Sequence, residues 1–487
     1  METENLGTML DETCGRYPDR SFLTYKDTRY TYEDLDRAVG LLGRRLTGLG
    51  ITRGDKVAIM LPNIPEFIAA YFAVLKLGGV AVTVNVASTP HELTYLLNNS
   101  DARAFITTPQ GAKRYGEMKN NAPGCPHLIT VDDTDDGFSM EKAGTGTAER
   151  IETVAMKADD PAVMIYTSGL TGKPLGAVLT HGNLLTQSIL LRDVCNGTKD
   201  DKGLCLIPLY HSFGATVNML MILKIGAGLV MMDQFNLETI FRAIETERVT
   251  YIAAVPRLYL GMLLYPDADN YDLSSLRFCI TGGSKMPPEH ISPFREKFGA
   301  ILMEGYGLTE ASPVCSVNRM NMVNKPGSTG IPIPEVQARI VDDTDRELAP
   351  GEIGELLIKG PNVMKGYYKT EEATAEVLKN GWLYTRDLAY IDTEGYIFLT
   401  GLKKRMIITS GFNVYPKEVE DILDLHPAVA ASRVVGKEDL MRGEIVKAFI
   451  IRKNQEGADE KDIIRHCRTY LSAYKCPREV EFVTEFD

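Results

Sequence analysis

Residues 166–183, YTSGLTGKPLGAVLTHGN, are the stretch that decides how the rest of this chain is interpreted. They follow an apolar run of strand length, residues 162–166, and their first half is rich in glycines and hydroxyl side chains. Successive backbone N–H groups in such a loop can form an anion-binding nest, to which Thr167, Ser168 and Thr171 would add hydroxyl donors. The stretch therefore predicts a loop that binds phosphate, and the alternative is a flexible surface turn.

The loop differs from the G-x-x-x-x-G-K-[ST] phosphate loop of other nucleotide-binding proteins. No Ser or Thr follows Lys173, and residues 177–180 are strand-like where that motif requires a helix. The sequence therefore predicts a strand, a glycine-rich loop and a second strand.

The composition is typical of a globular protein with a large core and at least one further domain, since 44% of the 487 residues are hydrophobic and 24% are charged. The formal net charge of −12 argues against a nucleic-acid partner and against electrostatic attachment to anionic membranes. The acidic N-terminus has no apolar core, so no secretory signal is predicted. Eight cysteines without a C-x-x-C pair predict reduced, mostly buried thiols and a cytoplasmic location.

The longest mainly apolar run is residues 217–232, and it contains Asn218 and Lys224. Its sixteen residues are short for a membrane span, which needs roughly 18–20 apolar residues. We therefore predict a buried helix followed by a strand in this run, and no transmembrane segment.

The first hundred residues alternate between helical and strand-like patterns, which predicts βαβ units and a mainly parallel sheet covered on both faces. Thr31 and Asp34 are expected to cap a helix that reaches about Gly48. Further expected elements are strands at residues 57–61, 80–84 and 104–107 and helices that begin at Pro65, Pro90 and His181. From about residue 332, glycine-rich turns between short β-type runs predict an antiparallel, barrel-like region. A compact α+β pattern closes the chain, so the predicted fold class is α/β with a small second domain.

The loop resembles the signature T-S-G-T-T-G-x-P-K-G of the adenylate-forming superfamily, which holds acyl-CoA synthetases, luciferases and the adenylation domains of peptide synthetases. Five more stretches resemble its motifs in the same order, and they are PLYHSFG (208–214), ITGGSKMPPE (280–289), MEGYGLTE (303–310), GWLYTRD (381–387) and GLKKRMIITSGFNVYPKEVE (401–420). The resemblance covers almost the whole chain and is strongest to fatty-acyl-CoA synthetases. It implies a large N-terminal domain over residues 1–400, a hinge at 401–405 and a small mobile C-terminal domain over 406–487.

The reaction that the resemblance implies is that of an AMP-forming acid:CoA ligase, which uses ATP, Mg²⁺ and coenzyme A. A carboxylate attacks the α-phosphate of ATP and gives an acyl-adenylate and pyrophosphate. The thiol of coenzyme A then displaces AMP and forms a thioester. The expected partners are these small molecules, with a homodimer left open.

The resemblance also implies roles for single residues. Glu310 would bind magnesium, Thr309 would donate to the α-phosphate, and His211 would orient the substrate carboxylate. Tyr306 would stack on adenine, and Asp387 would accept hydrogen bonds from ribose hydroxyls. The expected catalytic residues are His211, Thr309, Glu310 and Lys173. The expected ATP- and AMP-binding residues are Thr167, Ser168, Gly169, Thr171, Gly172, Gly282, Gly283, Ser284, Glu304, Gly305, Tyr306 and Asp387.

The acid pocket is expected at the motif of residues 208–214. Peptide-synthetase domains need an aspartate there to pair with an ammonium group, and the absence of an acid disfavours an amino-acid substrate. Small residues and apolar walls favour a medium- or long-chain fatty acid, and a coumarate- or benzoate-like aryl acid is the alternative. The expected pocket residues are Tyr210, Phe213, Gly214, Val217 and Gly307. The expected CoA-binding residues are Ser410, Gly411 and Phe412, and the expected hinge residue is Arg405.

Four motif positions depart from the superfamily pattern. Leu170 replaces a loop threonine, Leu175 replaces the loop lysine that meets the triphosphate, and Leu402 replaces the first arginine of the hinge motif. Arg386 stands where a glycine precedes the ribose aspartate. The chain also ends just short of the P-x-x-x-x-G-K segment whose lysine drives adenylation. Because losing one preorganised donor costs about 3–4 kcal/mol, adenylation is expected to be slow.

Two explanations of these departures stay open. One is an engineered or truncated form of a competent ligase, which the concentration of changes at motif positions favours. The other is a natural homologue with weakened chemistry. A hypothesis from a different class is a catalytically silent binder of nucleotide or acyl-adenylate.

Overall fold

The computed structural model describes residues 5–132, 134, 137–145, 150–167, 173–232, 236–402, 406–439, 441–453 and 458–486. Its α-helices are Leu6–Arg16, Tyr32–Gly48, Pro65–Lys76, Pro90–Ser100, Pro109–Met118, Met140–Thr145, His181–Ser188, Leu190–Asp193, Ser212–Gly214, Met221–Ile225, Leu237–Glu247, Pro256–Leu264, Ile291–Phe298, Glu371–Val377, Pro416–Leu423 and Glu460–Tyr470. A π-helical stretch, Ala215–Leu220, leads into the helix Met221–Ile225.

A seven-stranded sheet in the large domain is built from six strands of residues 56–180 and one strand at residues 366–367. Its strand order is Gly366–Tyr367, Leu175–Thr180, Pro161–Thr167, Val80–Thr83, Lys56–Met60, Ala102–Thr107 and His127–Thr130. The last five strands run parallel to one another, whereas Leu175–Thr180 is antiparallel to both of its neighbours. The strand Val80–Thr83 is buried along its whole length because helices cover the sheet, which confirms the predicted parallel sheet.

A nine-stranded sheet combines two strands from residues 21–31 with seven strands from residues 202–332. Its order is Ile331–Pro332, Val314–Val317, Ile301–Gly307, Phe278–Thr281, Tyr251–Ala254, Lys202–Cys205, Gly228–Met231, Ser21–Tyr25 and Thr28–Thr31. The six strands from Ile301–Gly307 to Ser21–Tyr25 run parallel, and antiparallel pairs close both edges.

Two smaller sheets follow in the chain. The antiparallel sheet consists of Gln337–Val341, Gly354–Lys359, Leu378–Lys379, Trp382–Ile391 and Ile397–Leu402, as predicted for the region after residue 332. The C-terminal sheet consists of Ile407–Thr409, Phe412–Val414, Val429–Asp439, Gly443–Arg452 and Glu479–Val483. The predicted boundary at 401–405 reaches into residues 403–405, outside the described residues, and stays a prediction.

Local sequence signals explain several elements. Thr31 and Asp34 form the capping box of the helix Tyr32–Gly48, which confirms that prediction at both ends. Proline, whose missing N–H costs nothing at the first helical position, begins Pro65–Lys76 and Pro90–Ser100. The helical stretch predicted from His181 breaks into His181–Ser188 and Leu190–Asp193.

The apolar run 217–232 forms the helix Met221–Ile225 and the strand Gly228–Met231, as predicted. Most of its described residues are buried. All eight cysteines are unpaired and buried, which confirms the predicted burial of the thiols. No helix within the described residues is long and apolar enough to cross a membrane.

Candidate active site

A cavity of about 580 Å³ lies where all four sheets approach one another. The two large sheets contribute residues at the carboxyl ends of Pro161–Thr167 and Phe278–Thr281. The antiparallel sheet contributes residues of Trp382–Ile391, and the C-terminal sheet contributes residues near Phe412–Val414. Carboxyl ends of parallel strands are the usual ligand site of open α/β sheets.

Most residues that the sequence singled out line this one cavity. They are Thr167, Tyr210, His211, Phe213, Val217, Gly282, Gly283, Ser284, Glu304, Gly305, Tyr306, Gly307, Thr309, Glu310, Asp387, Gly411 and Phe412. Segments up to 245 positions apart in the chain therefore meet here, since the set spans residues 167–412 (412 − 167 = 245).

Three predicted residues lie outside the lining. Lys173 is exposed. The Ser410 hydroxyl oxygen accepts a hydrogen bond from Arg442 Nη1 at 3.3 Å. At Gly214 a Cβ would lie 2.2 Å from the carbonyl oxygen of Pro208, so chain packing explains this glycine. The predictions for Ser168, Gly169, Leu170, Thr171, Gly172 and Arg405 fall outside the described residues.

Glu310 occupies a short 3₁₀ turn, Thr309–Ala311, just after the strand Ile301–Gly307. Its Oε1 accepts hydrogen bonds from Tyr367 Oη at 2.8 Å and from Thr167 Oγ1 at 3.2 Å. Burial and the carboxylate of Glu310 both raise the pKa of Tyr367, so this phenol stays a donor. Tyr367 is a site residue that the sequence analysis missed, because no motif marks it.

Asp387 accepts a hydrogen bond from Tyr306 Oη at 2.5 Å. Burial, together with Glu310 and Glu355, raises the pKa of Asp387 to about 6, and the bond from Tyr306 acts in the opposite direction. Tyr306 is buried, and its phenol is held in place by this bond. Asp387 Oδ1 has no partner among the hydrogen bonds of the described residues, so one oxygen is available to a ligand.

Glu304 is buried at the same end of the cavity. Its Oε2 accepts the backbone N–H of Gly327 at 2.8 Å. Burial raises the pKa of Glu304 to about 7, so both protonation states are accessible near neutral pH. Gly283 has a φ of +82°, a conformation that disfavours any residue with a Cβ and brings backbone to the cavity wall.

His211 lies just before the helix Ser212–Gly214. Its Nδ1 accepts the backbone N–H of Phe213 at 3.3 Å. Burial lowers the pKa of His211, so the imidazole is neutral and its proton is on Nε2. Beside it the hydroxyl oxygens of Ser212 and Thr309 are 3.3 Å apart. The arrangement offers donors to an anionic ligand.

Part of the cavity lining is apolar. Phe213 and Val217 were predicted there, and Leu190, Val194 and Met221 join them from the neighbouring helices. The strand Val314–Val317 adds further aliphatic side chains. No sequence pattern points to these residues as site residues, because an apolar helix predicts burial but not which cavity it lines.

The C-terminal sheet closes one side of the cavity. The ring of Phe412 stacks on Tyr474, with centroids 4.6 Å apart. Lys475 is buried beside them, and its Nζ contacts Glu92 Oε1 at 2.8 Å and Glu418 Oε1 at 2.6 Å. Glu92 belongs to the large domain and Glu418 to the helix Pro416–Leu423. The sequence analysis did not single out Lys475.

Two of the departures from the superfamily pattern also line the cavity. Leu175 is 8% exposed and presents an aliphatic side chain at the start of the strand Leu175–Thr180. Arg386 lies in the strand Trp382–Ile391 with a φ of +64°. Backbone pairing places Leu402 opposite Asp387.

The residues fit a magnesium ion that is shared with substrate phosphates. No group of three or more His, Cys, Asp or Glu side chains in the described residues could hold a metal by itself. Glu310 offers one hard carboxylate to the cavity, and Mg²⁺ commonly uses one or two carboxylates together with phosphates and water.

Comparisons with known proteins agree with this geometry. The family model for the AMP-binding enzyme matches residues 10–368, and the model for its C-terminal domain matches residues 418–487. A long-chain-fatty-acid–CoA ligase of Bacillus subtilis is 35% identical over 100% of this chain and 92% of that relative. A feruloyl-CoA synthase of Amycolatopsis is 33% identical over 99% and 96%.

Solved structures are similar over the whole chain. The amide bond synthetase McbA of Marinactinospora thermotolerans has a TM-score of 0.91 and 27% identity, over 99% of this chain and 96% of that chain. A double mutant of o-succinylbenzoate CoA synthetase of Bacillus subtilis has a TM-score of 0.86 and 30% identity, over 100% and 96%.

The fold and the gathered motifs define an adenylate-forming enzyme with a large N-terminal α/β domain and a small C-terminal domain. The chain belongs to the AMP-binding enzyme family, and it is an AMP-forming acyl-CoA synthetase that uses ATP, Mg²⁺ and coenzyme A.

Proposed function

We propose that this acyl-CoA synthetase activates a medium- or long-chain fatty acid. The observation that carries the proposal is the apolar part of the cavity lining, formed by Leu190, Val194, Phe213, Val217 and Met221. No carboxylate is at residues 210–212 to pair with an ammonium group. The relatives named long-chain-fatty-acid–CoA ligase support the same substrate class.

In the proposed first step, a carboxylate oxygen of the fatty acid attacks the α-phosphorus of ATP, and pyrophosphate leaves. His211 Nε2–H orients the carboxylate, while Thr167 and Thr309 donate to phosphate oxygens. Glu310 would hold Mg²⁺, and the ion would supply positive charge next to the phosphates. Asp387 accepts hydrogen bonds from the ribose hydroxyls, and Tyr306 packs against adenine.

In the proposed second step, the sulfur of coenzyme A attacks the acyl carbon and AMP leaves with the bonding electrons. Gly411 has a φ of +85°, and a Cβ there would lie 3.1 Å from Val255 Cγ1. The chain at residues 411–412 therefore passes close to the wall of the large domain, where the thiol arm would enter. The hinge at 401–405 would let the C-terminal domain rotate between the two steps.

An aryl-acid ligase is the second candidate. The ring of Phe213 lines the cavity and offers a stacking surface. A feruloyl-CoA synthase and an anthranilate CoA ligase are among the similar proteins.

The cavity also motivates the hypothesis of a silent binder of nucleotide or acyl-adenylate, because Leu175 places a leucine in the lining. A silent binder would bind AMP without releasing pyrophosphate.

The test is acid-dependent pyrophosphate release with ATP and magnesium, over fatty and aryl acids, with and without coenzyme A. The fatty-acid proposal is supported if lauric acid causes pyrophosphate release and added coumaric acid does not reduce it. Release only with coumaric or benzoic acid establishes the aryl-acid ligase. Nucleotide binding without release for any acid, and without acyl-CoA after Leu175→Lys, leaves the silent binder.

A homodimer and a cytoplasmic location stay predictions. Size-exclusion chromatography with light scattering measures the first, and fractionation of the native host measures the second.

A further inference from the structure

Arg386 carries an inference that goes beyond the motif residues. It lines the cavity next to Asp387, yet no step of the proposed function uses its side chain. Three basic residues line the cavity within the described part of the chain, and they are Lys285, Arg386 and Lys475.

The backbone of Arg386 adopts a conformation that glycine tolerates better. Its φ is +64°, in the left-handed region that L-residues rarely occupy. The backbone N–H donates to Glu355 Oε1 at 3.1 Å and helps to hold this conformation. Residues kept in such conformations concentrate at binding and catalytic sites. A reason for an arginine here must therefore lie in its side chain.

Only one of the two Nη atoms of the guanidinium has a hydrogen-bond partner among the described residues. Nη2 donates to Glu376 Oε2 at 3.0 Å, and the side chain is 19% exposed. Nη1 is buried and has no hydrogen-bond partner among the described residues. A buried charged donor without an acceptor is costly, and a phosphate oxygen is an acceptor that suits a guanidinium.

Within the described residues, the charge of Arg386 also reaches the surroundings of Glu310. Burial and Glu310 raise the pKa of Tyr367, whereas Arg386 lowers it, and Tyr415 responds in the same way. Lys475 is occupied by two carboxylates. Lys285 lies near a different carboxylate, that of Glu304. Burial raises the pKa of Glu304, and Lys285 lowers it.

We propose that Arg386 binds the α-phosphate of the nucleotide through Nη1. The phosphate would lie between the Glu310 and Asp387 positions, where the ligand brings negative charge next to two carboxylates. Arg386 then supplies a cation in a cavity where the lining residue Leu175 supplies none. The inference rests on the nucleotide site of the proposed function and adds a residue to it.

The test compares two ligands, AMP and adenosine, by isothermal titration calorimetry of the full chain. The variant Arg386→Gly introduces a glycine, which suits the positive φ. It should weaken the affinity for AMP by about tenfold to a hundredfold and the affinity for adenosine by less than about twofold. The AMP affinity of Arg386→Lys should lie between those of the wild-type chain and Arg386→Gly, since an ammonium keeps the charge but lacks the paired N–H donors of a guanidinium. Leu402→Arg in the Arg386→Gly background should restore part of the AMP affinity, because residue 402 lies opposite Asp387.

The matched control is Glu376→Gln, which removes the ion pair but keeps the guanidinium. It should leave AMP affinity unchanged or tighter, whereas a purely structural Arg386 would make it resemble Arg386→Gly. Equal losses for AMP and adenosine in Arg386→Gly, or no loss for AMP, overturn the inference. If the wild-type chain binds neither ligand, the nucleotide site of the proposed function is wrong, and this inference falls with it.

Discussion

Two groups of buried charges in this molecule differ in whether an opposite charge of the protein pairs with them. At the contact of the two domains, which we call the domain contact, Glu92, Glu418 and Lys475 have side chains at most 9% exposed. The ammonium of Lys475 lies within 2.8 Å of both carboxylates, and Glu92 also accepts from Ser472 Oγ at 2.6 Å. Burial lowers the pKa of Lys475, but Tyr474 and the two carboxylates raise it by more, so it stays charged.

At the nucleotide end of the cavity, the carboxylates of Glu310 and Asp387 form no ion pair among the described residues. They accept hydrogen bonds only from the hydroxyls of Thr167, Tyr367 and Tyr306. Burial raises the pKa of Asp387 accordingly. The difference teaches that removing one member of a paired, buried group leaves uncompensated charge, whereas charges left with weak partners are available to ligands.

The largest expected effect is at the domain contact. Lys475→Met leaves two buried carboxylates without their cation, and we expect a loss of about 3–5 kcal/mol in the free energy of unfolding. Denaturant titration followed by fluorescence and circular dichroism measures it. Lys437→Met is the matched control, because this lysine pairs with Glu479 while half exposed and should cost less than about 1 kcal/mol. Equal losses in the two variants would erase the distinction between the two groups of charges.

The next effect is at the nucleotide end. Glu310→Gln keeps an acceptor for Tyr367 and Thr167 but removes the proposed magnesium ligand. We expect pyrophosphate release to fall by roughly 10²–10³, with little change in stability. Stopped-flow or coupled pyrophosphate assays with saturating ATP measure the rate. A variant that loses stability and keeps its rate would assign Glu310 to the fold instead.

Leu175→Lys is expected to act in the opposite direction. The new ammonium would enter the cavity lining, and pyrophosphate release should rise by about tenfold or more, while the buried charge lowers stability by about 1 kcal/mol. Leu175→Met, which keeps the apolar character, is the control and should change neither quantity. No increase in rate would mean that position 175 does not reach the triphosphate in this chain.

The last expected effect is a pH dependence of stability, which is measured as a slope and not as a loss at one pH. Burial raises the pKa of Glu304 from 4.5 to about 7, so the fold favours its protonated form. Its contribution is therefore complete below pH 4.5 and is lost as pH rises to 7, by about 1.4 kcal/mol per pH unit. The pKa of Asp387 is raised from 3.8 to about 6, so this group also lowers the free energy of unfolding as pH rises, but over a lower pH range. Between pH 6 and 7 Glu304 contributes a falling slope, whereas His181, His211 and His426, whose pKa values burial lowers, contribute a rising slope up to their ordinary value of 6.5.

Glu304→Gln should remove the falling contribution to the slope in thermal or denaturant unfolding, and the exposed Glu289→Gln should leave the slope unchanged. An unchanged slope in Glu304→Gln would show that this carboxyl is solvated in the protein. It would then belong with the surface charges, in contrast to both buried groups.

The sequence predicted the elements whose signals are local. The capping pair of Thr31 and Asp34 is set within one turn, and the apolar strands at 57–61 and 80–84 need only their own side chains to be recognised. The strand after the glycine-rich loop, Leu175–Thr180, was also predictable, because an apolar run of that length follows Pro174 directly. Ordered motifs, which a single family carries together, predicted that Glu310 and Asp387 serve one reaction.

The tertiary structure alone decided which partners these residues have. Tyr367 reaches Glu310 from 57 positions away, and Lys475 reaches Glu92 across 383 positions. Such contacts depend on how sheets and domains pack, and no pattern in the neighbouring sequence encodes them. Burial is decided in the same way, and with it the raised pKa values of Glu304 and Asp387 and the unpaired nitrogen of Arg386. The sequence determined the reaction class through its motifs, whereas packing determined which charges are satisfied within the protein and which are open to a ligand.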